Sequence, residues 1–174
     1  SALSSHTYAA PNLKSHDQIP LPFGAQVTVR AEHGNFYQTS AGFIPRQHLR
    51  ATGNFLTDPR EVAKMFLGCP YLWGGNSAAG IDCSGLIQAA CHATGRACPG
   101  DSGPQQKFFP ATEGDWAPGQ LIFWPGHVAL TLSATHLIHA NAHAMAVGIE
   151  AIDVAIARIE AAGDGPMLQR SNLT

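Results

Sequence analysis

The sequence lacks a surplus of positive charge and long apolar runs. Its 174 residues carry 10 Lys and Arg against 12 Asp and Glu, a formal net charge of −2 at pH 7. That balance excludes the phosphate-neutralising surface of a dedicated nucleic-acid binder and the polybasic patch of a membrane-surface protein. No apolar stretch approaches the roughly 20 residues of a bilayer-spanning helix. We therefore expect a soluble monomer whose partners are neither nucleic acid nor membrane.

Cysteine is also scarce, with four residues in the middle of the chain: Cys69, Cys83, Cys91 and Cys98. Disulfide scaffolds are small domains dense in cysteine, so this chain is not expected to be one. Cys91 and Cys98 are near enough in sequence to pair, but spacing alone does not establish a disulfide geometry. The nine His nearly equal all Lys and Arg together. Thiol chemistry and metal binding are therefore the first two hypotheses.

The first fifty residues read as short strands joined by turns, at 26–30, 35–38 and 42–45. About five such strands in this length predict a small β-barrel over residues 1–51. Residues 52–57 read as a linker, and 58–174 as a second domain. The charges support two domains, because basic residues outnumber acidic ones four to two up to position 51 and are outnumbered ten to six afterwards.

The second domain opens with a helix signal. Asp58 is a candidate N-cap, Pro59 suits the first helical position, and Glu61 stands where a capping box places its carboxylate. These residues predict a helix from Pro59 to about Leu67.

The segment around Cys83 predicts a second helix. Apolar residues after Cys83 recur at helical spacing, and Gly95 is a plausible stop. A helix starting at Asp82 or its neighbour places Cys83 in the first turn, where unpaired N–H groups favour an anion, lower a thiol pKa and stabilise an oxyanion. The alternative is a buried cysteine that packs as a small hydrophobe, which is how we interpret Cys69, Cys91 and Cys98.

A candidate base for the thiol, His127, lies in a region of predicted strands. These strands are the segments 121–124, 127–132 and 137–139. Hairpin registers with residue sums of 266 or 268 place His127 and His139 on one face, opposite or diagonal. His127 would activate Cys83, and His139 would fix the tautomer of His127. Two alternatives stay open: a half-buried packing role for His127, and a helix over 134–146 whose His136, His139 and His143 bind metal.

Five motifs follow one another along the second domain: Tyr71-Leu-Trp-Gly-Gly75, Asp82-Cys-Ser-Gly-Leu86, Gly119-Gln-Leu-Ile-Phe123, His127-Val-Ala-Leu130 and Leu137-Ile-His-Ala140. Together these motifs resemble the NlpC family of bacterial cell-wall cysteine peptidases over residues 58–153. The resemblance implies an α+β, papain-like domain in which the helix bearing Cys83 packs on an antiparallel sheet bearing the histidines.

The N-terminal region resembles a bacterial SH3-like domain over about residues 6–51, a common companion in that family. The pieces that carry this resemblance are Tyr8-Ala-Ala-Pro11, Leu21-Pro-Phe-Gly24, Phe36-Tyr37, and Gly42-Phe-Ile-Pro45 leading to His48-Leu49.

The resemblance implies the catalytic roles. Cys83 would be the nucleophile, His127 the general base and acid, and His139 the third polar residue. Tyr71 matches a family tyrosine whose hydroxyl helps the Cys83 N–H hold the oxyanion; its alternative is a packing aromatic. No metal or organic cofactor is required.

The resemblance also suggests substrate-binding residues. Asp82 and Ser84 match positions that receive the free amino end of a stem peptide, although Asp82 alternatively serves only as the helix N-cap. Ser102, Gln105 and Gln106 are polar candidates for the substrate wall. Glu32 and Tyr37 of the first domain are candidate lids over the amine, and Tyr37 alternatively closes the barrel core.

The implied substrate is a peptidoglycan stem peptide or muropeptide, cut between the γ-carboxyl of D-glutamate and a diamino acid such as diaminopimelate. Two departures qualify this: Gln120 stands where the family has Asp, and Gly100 where relatives often carry Arg, so the preferred diamino acid stays open. The alternatives are a non-catalytic wall-peptide binding protein, a His-rich metalloprotein, and a thiol amidase or acyltransferase acting on another substrate.

The compartment is a weaker expectation. The chain begins at Ser1 without an apolar signal core, which favours a cytoplasmic enzyme of muropeptide recycling. A leader that had been removed would instead fit an exported enzyme.

Overall fold

The computed structural model describes residues 2–173 and divides the chain into two compact units. The first unit ends at Phe55 and the second begins at Leu56. In the described residues, no helix is both long and apolar enough to span a bilayer.

The first unit is built on one antiparallel sheet of five strands in the order β2-β1-β5-β4-β3. An SH3-like barrel remains a prediction for this unit. A short 3₁₀ helix, Arg46–His48, follows the last strand. The strands are β1 (Ser4–Tyr8), β2 (Asp17–Pro22), β3 (Ala31–His33), β4 (Phe36–Thr39) and β5 (Gly42–Pro45).

The strand predicted at 26–30 is wrong. That segment lies outside the strands, and pairing begins only where the Arg30 N–H donates to the Gln38 carbonyl at 2.8 Å. Val29 is 44% exposed. Alternating valines favour a strand only when they pack against a neighbour, and this segment has too little burial for its β-propensity to take effect.

The second unit is an α+β structure around a second antiparallel sheet, with strand order β11-β10-β9-β8-β12. A two-stranded hairpin, β6 (Asn76–Ser77) and β7 (Gly80–Ile81), leads into the helix that starts at Cys83. The strands of the sheet are β8 (Gln120–Trp124), β9 (His127–Thr131), β10 (His136–Asn141), β11 (Ala146–Ala151) and β12 (Gln169–Asn172).

Within residues 56–173 the second unit also has four α-helices: α1 (Pro59–Met65), α2 (Cys83–Ala93), α3 (Ser102–Phe108) and α4 (Ile152–Ala161). Asp58 caps α1 as predicted, since its side chain accepts the Arg60 N–H at 2.8 Å. The helix ends at Met65, slightly before the predicted Leu67. Helix α2 ends at Thr94, and Gly95 follows with φ of 76°, the left-handed conformation typical of a helix stop.

One face of the sheet is covered by α4, while α2 lies against β9 and β10. His127 and His139 alternate onto the same face as Ala129 and Leu137, which pack against α4. The buried cluster on this face consists of Ile122, Trp124, Ala129, Leu137, Ile152, Ala155 and Ile159.

Gly85 in the first turn of α2 has no room for a side chain, because a methyl group there would collide with the Gly75 carbonyl oxygen. We expect Gly85→Ala to lower the free energy of unfolding by about 1–3 kcal/mol. Urea unfolding followed by tryptophan fluorescence reports this unit, since Trp73, Trp116 and Trp124 all belong to it.

The matched control is Gly103→Ala, because Gly103 also lies in a first helical turn and a methyl group there meets nothing within 4 Å. This variant should stay within about 1 kcal/mol of the wild type. Equal losses in the two variants would contradict the close approach at Gly85.

Candidate active site

The site begins at the first residue of α2, Cys83, which is held by the cap before it. One Asp82 carboxylate oxygen, Oδ1, accepts the Gly85 N–H at 2.7 Å and the Ser84 hydroxyl at 3.0 Å. The other, Oδ2, accepts the Gly74 N–H at 2.9 Å. Asp82 thus caps α2 and joins the backbone at Gly74 to the start of this helix.

The Cys83 thiol is 7% exposed and faces the turn between β8 and β9. It donates to the Gly126 carbonyl at 3.9 Å, next to His127. Burial raises the pKa of this thiol to about 11, and the Asp82 charge adds to the effect, although the N–H groups of Val128 and Ser84 act in the opposite direction.

The predicted lowering of the Cys83 pKa is therefore wrong for the unliganded site. Burial disfavours the thiolate more than the helix N-terminus stabilises it. The thiol carries its proton at neutral pH, so a base must remove that proton during attack.

The two histidines meet as the strand pattern predicted. β9 and β10 pair Thr131 with Leu137 and Leu130 with Ile138, which confirms a register with the residue sum of 268. His127 and His139 are therefore diagonal on one face, and their Nε2 and Nδ1 atoms lie 3.0 Å apart. The Trp124 ring packs beside His127 with centroids 5.6 Å apart.

Both imidazoles are neutral at physiological pH. Burial lowers the pKa of His127 to about 3, helped by the nearby His139 and Arg158. Burial also lowers the pKa of His139 to about 4, although the Glu150 charge opposes the shift. A neutral imidazole can accept a proton, so His127 is in the state that a general base requires.

These low values predict acid sensitivity. In the unfolded chain both histidines take up protons near their ordinary pKa of 6.5, whereas the native state keeps them neutral. The contribution of these histidines to the free energy of unfolding is therefore complete above about pH 7 and falls as the pH drops towards 4. For each histidine, the free energy of unfolding should decrease by about 2 kcal/mol between pH 7 and pH 5. Urea unfolding at both pH values measures the loss, which should be smaller in His127→Gln; an equal loss in that variant would contradict the assignment.

Sequence reasoning missed two residues that extend this chain of contacts. His139 Nε2 lies 3.1 Å from Glu150 Oε2 on β11. Arg158 on α4 binds the same carboxylate with both ends of its guanidinium, at 2.9 and 2.7 Å. The usable signal was a second hairpin register, since β11 pairs Gly148 with His139 and so places Glu150 diagonal to it.

The region that carries this arrangement matches a known family model. The match, to the NlpC/P60 family, spans residues 68–159, just over half of the chain, and includes Cys83, His127 and His139. The chain belongs to the NlpC/P60 family. This family is one of papain-like cysteine peptidases that act on peptidoglycan.

Individual NlpC/P60 relatives agree with this membership. A gamma-D-glutamyl-L-lysine dipeptidyl-peptidase of Bacillus cereus is 33% identical over 131 residues, covering 70% of this chain and 37% of the relative. Dipeptidyl-peptidase 6 of Lysinibacillus sphaericus is 36% identical over 96 residues, covering 53% and 35%. The chain thus spans little more than a third of the length of either relative.

A solved NlpC/P60 family protein from Bacillus cereus shares the fold. It superimposes with a TM-score of 0.75 at 24% identity, over 87% of this chain and 56% of that one. This similarity supports the papain-like α+β architecture.

Tyr71 of the NlpC/P60 domain lies near Cys83 and Asp82, close enough for electrostatic interaction. Burial raises the pKa of its hydroxyl, and a Cys83 thiolate and the Asp82 carboxylate raise it further. Its backbone N–H donates to the Met145 carbonyl at 2.9 Å, which anchors the residue to the β10–β11 turn. The hydroxyl is therefore protonated and able to donate a hydrogen bond.

The predicted substrate-wall residues occupy different environments. Ser84 is buried and bonded to Asp82, whereas Ser102 is half-buried at the start of α3. Gln105 is fully buried and donates to the Ser84 carbonyl at 3.0 Å and the Pro99 carbonyl at 2.9 Å, so it joins α3 to the first turn of α2 inside the protein. A cavity of about 170 Å³ lies beside them, lined by Gly74, Gly75, Asn76, Asp82, Gly85, Gln88, Gly100 and Asp101.

Glu32 and Tyr37, the predicted lids, are neighbours within the first unit. They stand opposite each other on β3 and β4. Arg46 pairs with Glu32 at 3.0 Å and stacks over the Tyr37 ring at 4.9 Å. Their role as lids stays a prediction.

The metal alternative loses its structural basis. The segment 134–146, which would have to be helical, forms β10, a turn and the start of β11, so His136, His139 and His143 do not share a helix face. Over residues 2–173 there is no group of three His, Cys, Asp or Glu arranged to hold a metal. The four cysteines are free thiols, and the Cys98 thiol donates to the Pro99 carbonyl at 3.5 Å.

Proposed function

We propose that this chain is a cysteine peptidase that hydrolyses peptidoglycan stem peptides at the bond between the γ-carboxyl of D-glutamate and a diamino acid. The observation that carries the proposal is the 3.0 Å contact of His127 with His139, beside the strand turn that receives the Cys83 thiol. The similarity to the Bacillus cereus gamma-D-glutamyl-L-lysine dipeptidyl-peptidase supports the choice of bond.

In the proposed reaction, Cys83 is the nucleophile and His127 the base. Sulfur bonds to the γ-carbonyl carbon while the thiol proton passes to His127, which fits a thiol whose pKa is raised to about 11. The C–N bond then breaks as His127 returns that proton to the leaving amine. Water hydrolyses the thioester, its oxygen enters the γ-carboxyl, and its proton returns through His127 to the thiolate.

The developing oxyanion needs donors in a site with little water. The Cys83 N–H at the start of α2 and the Tyr71 hydroxyl are the proposed pair. Burial, a Cys83 thiolate and the Asp82 carboxylate raise the Tyr71 pKa, which supports its role as a donor.

The free amine of the stem peptide is assigned to Asp82 and Ser84, with Ser102 on the wall. Both Asp82 oxygens already accept backbone N–H groups in the helix cap. A carboxylate oxygen has more than one lone pair, so the cap and an amine can share it.

Product analysis tests this proposal. The free peptide L-Ala-γ-D-Glu-diamino acid, with either L-lysine or diaminopimelate, and intact wall sacculi are incubated separately with the protein, and the fragments are identified by mass spectrometry. We expect L-Ala-D-Glu to be released. Binding without cleavage would instead support a wall-peptide binding protein, and cleavage at another bond would reject the assigned specificity.

A further inference from the structure

Glu150 is an acidic residue that contacts His139, one of the two histidines of the proposed site. It lies on β11, diagonal to His139, and its Oε2 is 3.1 Å from the Nε2 of that ring. The His139 side chain is 1% exposed and that of Glu150 21%, so the contact is largely shielded from water.

The carboxylate is held by a cation on the helix behind it. Arg158 donates from Nε to Oε1 at 2.9 Å and from Nη2 to Oε2 at 2.7 Å. This pair holds the pKa of Glu150 below its ordinary value, and the His139 contact lowers it further. Asp164 and Glu150 both raise the pKa of Arg158. Glu150 is thus an oriented anion at every pH at which the enzyme would work.

An ionised carboxylate only accepts hydrogen bonds. This determines where the protons lie in the hydrogen-bonded series Arg158–Glu150–His139–His127. His139 must donate from Nε2 to Glu150, so its neutral ring has a lone pair on Nδ1. His127 Nε2, 3.0 Å from that lone pair, must then be the donor. The neutral His127 ring is left with its lone pair on Nδ1.

We propose that Glu150, anchored by Arg158, is a positioning residue that fixes the tautomers of His139 and His127, so that Nδ1 of His127 is the atom that accepts the Cys83 proton. The catalytic consequence rests on the proposed function, whereas the tautomer assignment does not.

The tautomers are read directly without substrate. Long-range ¹H–¹⁵N spectra of ¹⁵N-labelled protein at neutral pH distinguish protonated from unprotonated ring nitrogens. His127→Gln and His139→Gln spectra assign the two signals among the nine histidines. We expect both rings to be protonated on Nε2 in the wild type. Glu150→Gln should weaken or reverse that preference, because a neutral amide no longer forms the charged pair with Arg158.

Kinetics supply the second readout. Glu150→Gln should lower kcat about 10- to 100-fold with KM within about twofold, the loss expected for a hydrogen bond to a charged group that acts in the transition state. Arg158→Lys keeps the positive charge but not the two-point contact, so it should show a smaller loss. The matched control is Glu160→Gln, which removes the same charge from an exposed position of α4 and should leave kcat unchanged.

The two readouts separate the two proposals. Nδ1 protonation of either ring in the wild type, or unchanged tautomers in Glu150→Gln, would overturn the role of Glu150 even if stem peptides are cleaved. Conversely, the expected tautomers in a protein that cleaves no stem peptide would reject the proposed function and keep the assignment. Circular dichroism of Glu150→Gln checks folding, and Arg158→Lys provides the test if that variant unfolds.

Discussion

Replacing Cys83 with alanine is expected to reduce hydrolysis of the stem peptide by at least about 10⁴-fold, because the thioester cannot form without the sulfur. The thiol is 7% exposed, and its hydrogen bond to the Gly126 carbonyl is long, at 3.9 Å. Its loss should therefore change the free energy of unfolding by only about 1 kcal/mol. Steady-state hydrolysis and urea unfolding measure the two effects on the same preparation.

The control for this variant is Cys69→Ala. Cys69 is a half-buried free thiol outside the site, so its replacement should leave hydrolysis unchanged. Retained turnover in Cys83→Ala would contradict the assigned nucleophile. Loss of turnover together with unfolding would be addressed with Cys83→Ser, which keeps the shape of the side chain and should also be inactive.

The second large effect is expected at His127. His127→Gln should lower kcat by about 10²- to 10⁴-fold, the usual contribution of a general acid and base. Because the Cys83 thiol keeps its proton at neutral pH, alkylation of Cys83 by iodoacetamide should also slow in this variant. Both are measured at neutral pH.

His143→Gln is the control for that change, since His143 is an exposed histidine in the β10–β11 turn. It should retain the wild-type kcat and alkylation rate. Equal kcat values for His127→Gln and the wild type would show that another group removes the thiol proton.

Local rules predicted the parts of the site that depend on near neighbours. The start of α2 follows from Asp82 as an N-cap and from the apolar spacing after Cys83, both of which are short-range features. The shared face of His127 and His139 follows from strand alternation. Periodicity alone left two registers open, and the packed sheet has the one with the residue sum of 268.

The remaining features depend on packing that the sequence does not reveal. The Cys83 pKa is raised because the strand turn at Gly126 buries the thiol, an effect larger than the helix N-terminus that the sequence does show. Glu150 reaches His139 only through a hairpin register, and Arg158 reaches Glu150 from the following helix. The valines near Val29 show the reverse case, in which a strand-like pattern lacks the burial to form a strand.

Hydrolysis of L-Ala-γ-D-Glu-diaminopimelate in H₂¹⁸O tests the central claim most directly. Attack by Cys83 followed by hydrolysis of the thioester places one ¹⁸O atom from water in the γ-carboxyl of the released L-Ala-D-Glu and none in the diamino acid. Mass spectrometry of both fragments should show this distribution for the wild type and no cleavage for Cys83→Ala. The label identifies the γ-amide as the bond that is cut, and Cys83→Ala decides whether the thiol is required, because direct attack by water would label the same fragment. Cleavage that persists without the thiol would contradict the account.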